Sequence, residues 1–182
     1  MRKSVPFFAV LAIFALAFSA RAAIFLNIDG IKGDSTARNH PGAVTALRFN
    51  LEIVAPHDIA TGQGSGKTLF KPLIITREID AVSPQLFHAL ITNEHIKSLT
   101  LELVKPSPDG KESAYYTVKL QNVSISNFRQ YTEETSGRSS DLEEISFTYE
   151  KIEVEAAAGQ SPSGKSEIPA IKIPSSFRPP NK

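Results

Sequence analysis

Apolar and polar residues alternate along most of the chain, and this period of two predicts β-strands that bury one face. In the segment VTALRFNLEIVA the alternation places Leu47, Phe49, Leu51 and Ile53 on one face. It recurs in IFLNIDG, LFKPLIITREI, SLTLELVKP, SAYYTVKLQNVSISNF and LEEISFTYEKIEVEA. Turn-forming or polar stretches such as SPDG and ETSGRSSD lie between these segments, and we expect them to be loops.

Two positions modify this pattern. Pro72 cannot donate a ladder hydrogen bond, so we expect it at the start of its strand or on a sheet edge. In LEEISFTYEKIEVEA the apolar positions change phase after Tyr149, which predicts a β-bulge near Glu150 and Lys151.

One segment, SPQLFHALITNEH, has helical spacing instead. Ser83 is a suitable N-cap and Pro84 suits the first helical position. The apolar residues between positions 86 and 91 then form one stripe, which predicts a helix of about three turns. Short antiparallel strands, turns and a single helix together predict a mainly β fold, either a barrel or a sandwich.

The first 22 residues have the pattern of an export signal. Arg2 and Lys3 precede an apolar run at residues 5–18, and Ala20-Arg21-Ala22 places small residues where a signal peptidase cuts. The apolar run is too short for a bilayer span, which needs about 20 residues. We therefore expect residues 1–22 to be a signal peptide cleaved after Ala22, and the chain to be periplasmic or secreted.

The remaining chain divides into residues 23–155, which form one folded domain, and residues 156–182, which are rich in Pro and Ser and expected to be disordered. It carries 17 basic and 19 acidic residues, without the basic stripe that nucleic acid requires. It has no Cys, so its core must hold the fold without disulfides. It has no second long apolar segment, so we expect no membrane contact after cleavage of the signal peptide.

A glycine-rich stretch, TGQGSGKTLFKP, contains Gly-Lys-Thr, the three residues that end a phosphate-binding loop. That motif needs a glycine five positions before Gly66, where this chain has Thr61, and it should open a helix. A strand pattern comes next instead. The sequence therefore favours a flexible loop between two strands.

No other residue pattern predicts catalysis, a cofactor or a metal site. His88 and His95 could share a helix face, but zinc needs three or four ligands, typically at closer spacings. The adjacent acids Glu133-Glu134 and Glu143-Glu144 would point to opposite faces of a strand, so we expect solvated charges and not an acid–base pair. An enzyme of unknown type is the least favoured hypothesis.

Four stretches in register resemble the haemolysin-coregulated protein family, Hcp, whose members form the tube of type VI secretion. They are IFLNIDGIKGDST, GSGKTLFKPLIITREIDAVSPQLFHAL, YYTVKLQNVSIS and LEEISFTYEKIEVE. The resemblance implies two antiparallel sheets that form a tight β-barrel with one flanking helix. It also implies a non-catalytic protein that assembles as hexameric rings, which stack into a tube and carry effectors.

The resemblance gives the glycine-rich loop a role in packing rings on one another. The contact residues it implies are Thr61, Gly62, Gln63, Gly64, Ser65, Gly66, Lys67, Thr68, Leu69, Phe70 and Lys71. Three features depart from the family: the export signal, the tail after residue 155, and Phe70, where members often have His. They keep open a second hypothesis, an exported monomeric β-barrel that binds a ligand in the cell envelope.

Overall fold

A computed structural model of the chain describes residues 22–106, 112–135, 137–156 and 171–172. Nearly all of the expected signal peptide, the SPDG turn and most of the expected disordered tail lie outside these residues. Within the tail, the structure describes a two-residue strand. The described elements are β1 Ala23–Ile28, β2 Val44–Ala46, β3 Arg48–Asn50, β4 Ile53–Val54, β5 Leu69–Phe70, β6 Leu73–Glu78, α1 Ser83–Ile91, β7 Ile96–Pro106, β8 Glu112–Thr135, β9 Arg138–Ala156 and β10 Ile171–Lys172.

One antiparallel sheet contains most of these strands, in the order β2-β1-β7-β8-β9-β6-β3, with β10 added to β9. β4 and β5 form a separate two-stranded ladder. The mainly β prediction with one helix is confirmed, and Pro72 directly precedes β6 as expected.

The predicted closed barrel is wrong, because the path of paired strands is open. β2 and β3 stand at its two ends and pair with β1 and β6, not with each other. Only Leu47 separates them in the chain, and its N–H donates to the carbonyl of Thr76 over 2.9 Å. The segment predicted as one strand thus bends at Leu47 and leaves that side chain 53% exposed, not in the core.

The core lies between the inner face of the curled sheet and α1. Its largest fully buried apolar side chains are Leu26, Leu73, Ile75, Leu86, Ile96, Leu99, Leu101, Leu120, Ile145 and Phe147. α1 packs on β8 and buries Leu86 and Ala89. Leu90 of the predicted apolar stripe is partly buried against the core, whereas Phe87 and Ile91 face outward and are 48% and 59% exposed.

α1 does not begin as predicted. Ser83 is its first helical residue, and the N-cap position belongs to Val82, which makes no side-chain cap hydrogen bond. Asp80 orders the entry to the helix instead: its Oδ1 accepts from the Val82 N–H over 2.8 Å, and its own N–H donates to Ser83 Oγ over 3.1 Å. A carboxylate three residues earlier therefore takes the role expected of Ser83.

The phase change near Glu150 has a different cause from the predicted bulge. The register of β8 with β9 is continuous there, and the irregularity lies further along, between Ile125 and Asn127. Opposite Glu150, Asn122 has a φ of +53° and donates from Nδ2 to Glu150 Oε2 over 2.7 Å. Asn tolerates this left-handed conformation. The buried and exposed faces of both strands change over at this point together, so the two strands remain in register.

The polar stretch ETSGRSSD is mostly strand and not a loop. Thr135 pairs with Arg138, so the β8–β9 hairpin is connected by two residues, of which Gly137 has a φ of +77°. The pairing of β8 with β9 continues past Leu142, where β6 stops, and forms a two-stranded ribbon. The polar residues of this stretch predicted a loop, but they form a ribbon whose two faces are both in solvent.

Candidate assembly surfaces

An arm made of residues 52–71 leaves the main sheet between β3 and β6. Its base is closed by the Lys71 N–H, which donates to the Glu52 carbonyl over 3.0 Å, and by an ion pair of 2.7 Å between Lys71 Nζ and Glu52 Oε1. β4 and β5 extend from this base, with Ile53 opposite Phe70 and Val54 opposite Leu69. The predicted contact loop, residues 61–71, forms the second half of this arm.

The tip of the arm is shaped by Asp58. Its Oδ1 accepts from the Ala60 and Thr61 N–H groups over 3.0 and 2.8 Å, and from Thr61 Oγ1 over 2.9 Å. These hydrogen bonds, that of the Thr61 N–H first, hold the pKa of the Asp58 carboxyl below its ordinary value. A bridge between His57 and Gly64 closes the turn. The tip is therefore a defined hairpin end and not an unstructured loop.

The Gly-Lys-Thr sequence leads into a strand and not into a helix. Gly66 has a φ of +94°, and Lys67 and Thr68 are followed directly by β5. The backbone N–H groups of a helix N-terminus, which would hold a phosphate, are absent from this part of the arm. Its glycines make the turns of a hairpin.

The arm presents apolar side chains to solvent. Ile59 is fully exposed at the tip, and Ile53 and Leu69 on the short ladder are 39% and 49% exposed. Isolated exposed apolar residues are common on proteins, but these three lie on one projecting element. They make the arm suitable for burial against another protein surface.

The base of the arm is tied to the core by Tyr149. Its Oη donates to the Lys71 carbonyl over 3.1 Å, and its ring is part of the hydrophobic core. Burial raises the pKa of the Tyr149 phenol to about 12. The arm therefore starts from a fixed position on β9.

A second apolar surface lies beside α1, in a groove between the helix and β8. The groove is lined by Ile79, Asp80, Ser83, Pro84, Phe87, Phe128 and Gln130. Phe87 and Phe128 meet edge to face, with ring centroids 5.7 Å apart. Ile79 is 40% exposed at this groove.

A buried ionic network next to this groove is the feature that sequence reasoning missed. Arg77 is 2% and Glu143 0% exposed, and Arg77 Nη1 lies 2.7 Å from Glu143 Oε1. Arg77 also pairs with Asp80 and donates from Nε to the Thr45 carbonyl, while Gln130 donates to Glu143 Oε2 over 3.2 Å. The prediction that Glu143 is a solvated charge is wrong, since it shares a core face with Ile145 and Phe147.

The histidines occupy separate places. His40 stacks on Phe25 with ring centroids 4.3 Å apart, and its Nδ1 lies 3.3 Å from Glu102 Oε2. His57 lies on the arm. α1 ends at Ile91, so His88 and His95 do not share a helix. Within the described residues no three His, Cys, Asp or Glu side chains form a metal-ligand cluster.

The single described helix is too short to cross a membrane, and the described residues contain no other candidate span of that kind.

Comparison with known proteins relates the chain to one family. The family model described as "Type VI secretion system effector, Hcp" matches residues 25–155. The "Major exported protein" of Pseudomonas aeruginosa is 30% identical over 124 residues, which are 66% of this chain and 72% of that protein.

Solved structures show the same fold. The Hcp1 protein from E. coli EAEC 042 is 27% identical with a TM-score of 0.65, over 77% of this chain and 93% of that one. A structure named Hcp protein has a TM-score of 0.67 at 20% identity, over 75% and 93% of the two chains. The secreted protein Hcp3 from Pseudomonas aeruginosa has a TM-score of 0.60 at 24% identity, over 85% and 100%.

Hcp proteins are structural tube or secreted proteins of type VI secretion, and they form hexameric rings. The family match covers nearly the whole main sheet, α1 and the arm. This chain therefore belongs to the Hcp family, and it is a structural, non-catalytic protein of type VI secretion.

Proposed function

We propose that six copies of this chain close into a ring, that rings stack through their arms, and that effector proteins travel in the lumen. The structural feature that supports stacking is the arm. It projects from the sheet with a structured tip and exposes Ile53, Ile59 and Leu69. A head-to-tail ring joins two different surfaces of each subunit, and its closure leaves the arm free to contact the next ring.

We retain residues 61–71 as the contact loop and extend the contact to residues that precede it. Leu69 is the exposed large apolar residue of that segment, whereas the fully exposed Ile59 lies just before it. The glycines of the loop allow the hairpin turns that place these side chains outward. We therefore assign the ring-stacking contact to residues 58–71 of the arm, which adds residues 58–60 to the predicted loop.

The proposal includes export by the N-terminal segment. Residues 1–22 act as a signal peptide that is cleaved after Ala22, residues 23–155 are the ring subunit, and the segment from residue 156 is an addition to it. The support is the charge and hydropathy pattern of the first 22 residues. N-terminal sequencing of the exported protein tests the cleavage site.

The mass in solution of the chain from Ala23 to Lys182 tests the ring. Light scattering after size exclusion is expected to give a mass close to six chains. A single-chain mass at high concentration would contradict the ring. It would favour the second hypothesis, an exported monomer that binds a ligand in the cell envelope.

A further inference from the structure

The arm and the groove beside α1 lie at opposite ends of β6. The arm ends at Lys71, just before β6 begins. The groove is lined by Ile79 and Asp80, which directly follow the last residue of β6. At about 3.3 Å per residue, the six residues of β6 set the two surfaces about 20 Å apart. No residue that lines the groove belongs to the arm, so the groove of each copy is open to an arm from another copy.

Both surfaces expose apolar side chains. Of the seven large apolar side chains exposed among the described residues, three lie on the arm and three lie at the groove or on α1. The groove has a volume of about 520 Å³, and its aromatic wall is formed by Phe87 and Phe128. An apolar depression with a few polar groups is the usual form of a binding site. Burial of the fully exposed Ile59 in such a depression is favourable.

A stack of rings that all face the same way needs two different contact surfaces on each subunit. The arm is one of them. The surface that receives the arm has to be exposed, apolar and at the other end of the subunit. Within the described part of the chain, the groove combines these three properties.

The charges near the two surfaces favour contact between unlike ends. Lys67 is exposed on the arm, and Glu78 is exposed at the groove end of β6. Neither forms an ion pair with another described residue. Two arms in contact would bring like charges together, whereas an arm in a groove brings Lys67 towards Glu78. A surface ion pair adds little affinity, but repulsion between like charges disfavours the wrong pairing.

We propose that the groove between α1 and β8 receives the arm of a subunit in the next ring, with Ile59 packed against Phe87 and Phe128. The inference rests on the proposed stacking through arms, and it names the surface on which the arm docks. Each subunit then offers an arm at one end and a groove at the other. A tube built in this way has two different ends and grows by adding rings in one orientation.

Disulfide cross-linking between separately prepared rings tests this contact. The chain has no Cys, so an introduced thiol is the only one in its subunit. Rings of Ile59→Cys are mixed with rings of Phe87→Cys and oxidised with diamide. Gln121→Cys is the matched control, because Gln121 is exposed on β8 and does not line the groove. We expect at least about tenfold more two-chain product with Phe87→Cys than with this control, since a disulfide requires Cα atoms within about 7 Å.

A second groove position, Ile79→Cys, repeats the measurement without removing an aromatic ring. Stacks that form without the cross-linked product at either groove position would overturn the proposal. A dominant product in rings of Ile59→Cys alone would also overturn it, since arms would then meet arms. Sedimentation of the parent chain is measured first. If rings or stacks do not form, the proposed function itself fails and this inference falls with it.

Discussion

Arg77 and Glu143 face each other on neighbouring strands, and both are buried in the core. Their ion pair offsets the cost of removing two charges from water, so its net contribution to stability is small as long as both partners remain. Glu144, the next residue along β9, belongs to the opposite face of the strand. Two adjacent glutamates of identical chemistry thus have different roles.

In the Glu143→Ala variant the Arg77 guanidinium stays buried, and Asp80 remains as its ion-pair partner. We expect Glu143→Ala to lower the free energy of unfolding by about 3–5 kcal/mol. The matched Glu144→Ala should change it by no more than about 0.5 kcal/mol. Urea unfolding followed by circular dichroism compares the two, and similar losses in both variants would contradict this assignment.

Two elements are anchored at their ends by polar contacts. The arm is a small two-stranded ladder, too short to be stable on its own, and it is fixed to the sheet by the Glu52–Lys71 contacts and the Tyr149 hydroxyl. α1 is fixed at its start by Asp80, which also pairs with the buried Arg77. Polar groups thus fix the ends of the elements that carry exposed apolar residues.

The raised pKa of Tyr149 gives the arm a dependence on alkaline pH. A Tyr whose folded-state pKa, about 12, exceeds the ordinary value of about 10 favours the fold while it is protonated. Its contribution is complete below about pH 10 and is lost as the pH rises through about 12. In a pH titration followed by ultraviolet absorbance, we expect one of the four tyrosines to ionise at a higher pH than the others. Tyr149→Phe should remove that step. A Tyr149 step near the ordinary pKa would contradict its burial.

At the scale of the whole molecule, the exposed apolar residues are concentrated on the arm and on the groove side of α1. The arm carries Ile53, Ile59 and Leu69, and the helix side carries Ile79, Phe87 and Ile91. The two surfaces belong to different parts of the fold. Such a distribution suits a subunit that contacts other copies through two separate surfaces.

The proposed stacking role of the arm predicts a selective effect of a single substitution. Ile59→Asp should retain the ring mass and weaken ring–ring association more than about tenfold, because burying an isoleucine contributes about 1.5–3 kcal/mol. Gln63→Asp adds the same charge to the same arm without removing an apolar contact. Sedimentation at increasing protein concentration compares the two. Equal stacking of both variants would exclude Ile59 from the contact.

The sequence by itself determined the local properties of this protein. The period of two indicated the strands, the spacing in SPQLFHALITNEH indicated the helix, and four stretches in register indicated the Hcp family. The strand and helix patterns depend on residues close together in the chain, where backbone preference and side-chain periodicity act directly. The family resemblance depends on the order and spacing of its four stretches.

Only the tertiary structure decided which strand edges meet and which charges are paired. Leu47 fits the apolar pattern of its segment, yet it is exposed because the chain crosses there from one end of the sheet to the other. Glu143 fits the core face of β9, but only its register with Arg77 shows why a charge is buried there. The pairing of β10 with β9 likewise joins positions far apart in sequence. These outcomes depend on non-local register, which no short stretch of residues encodes.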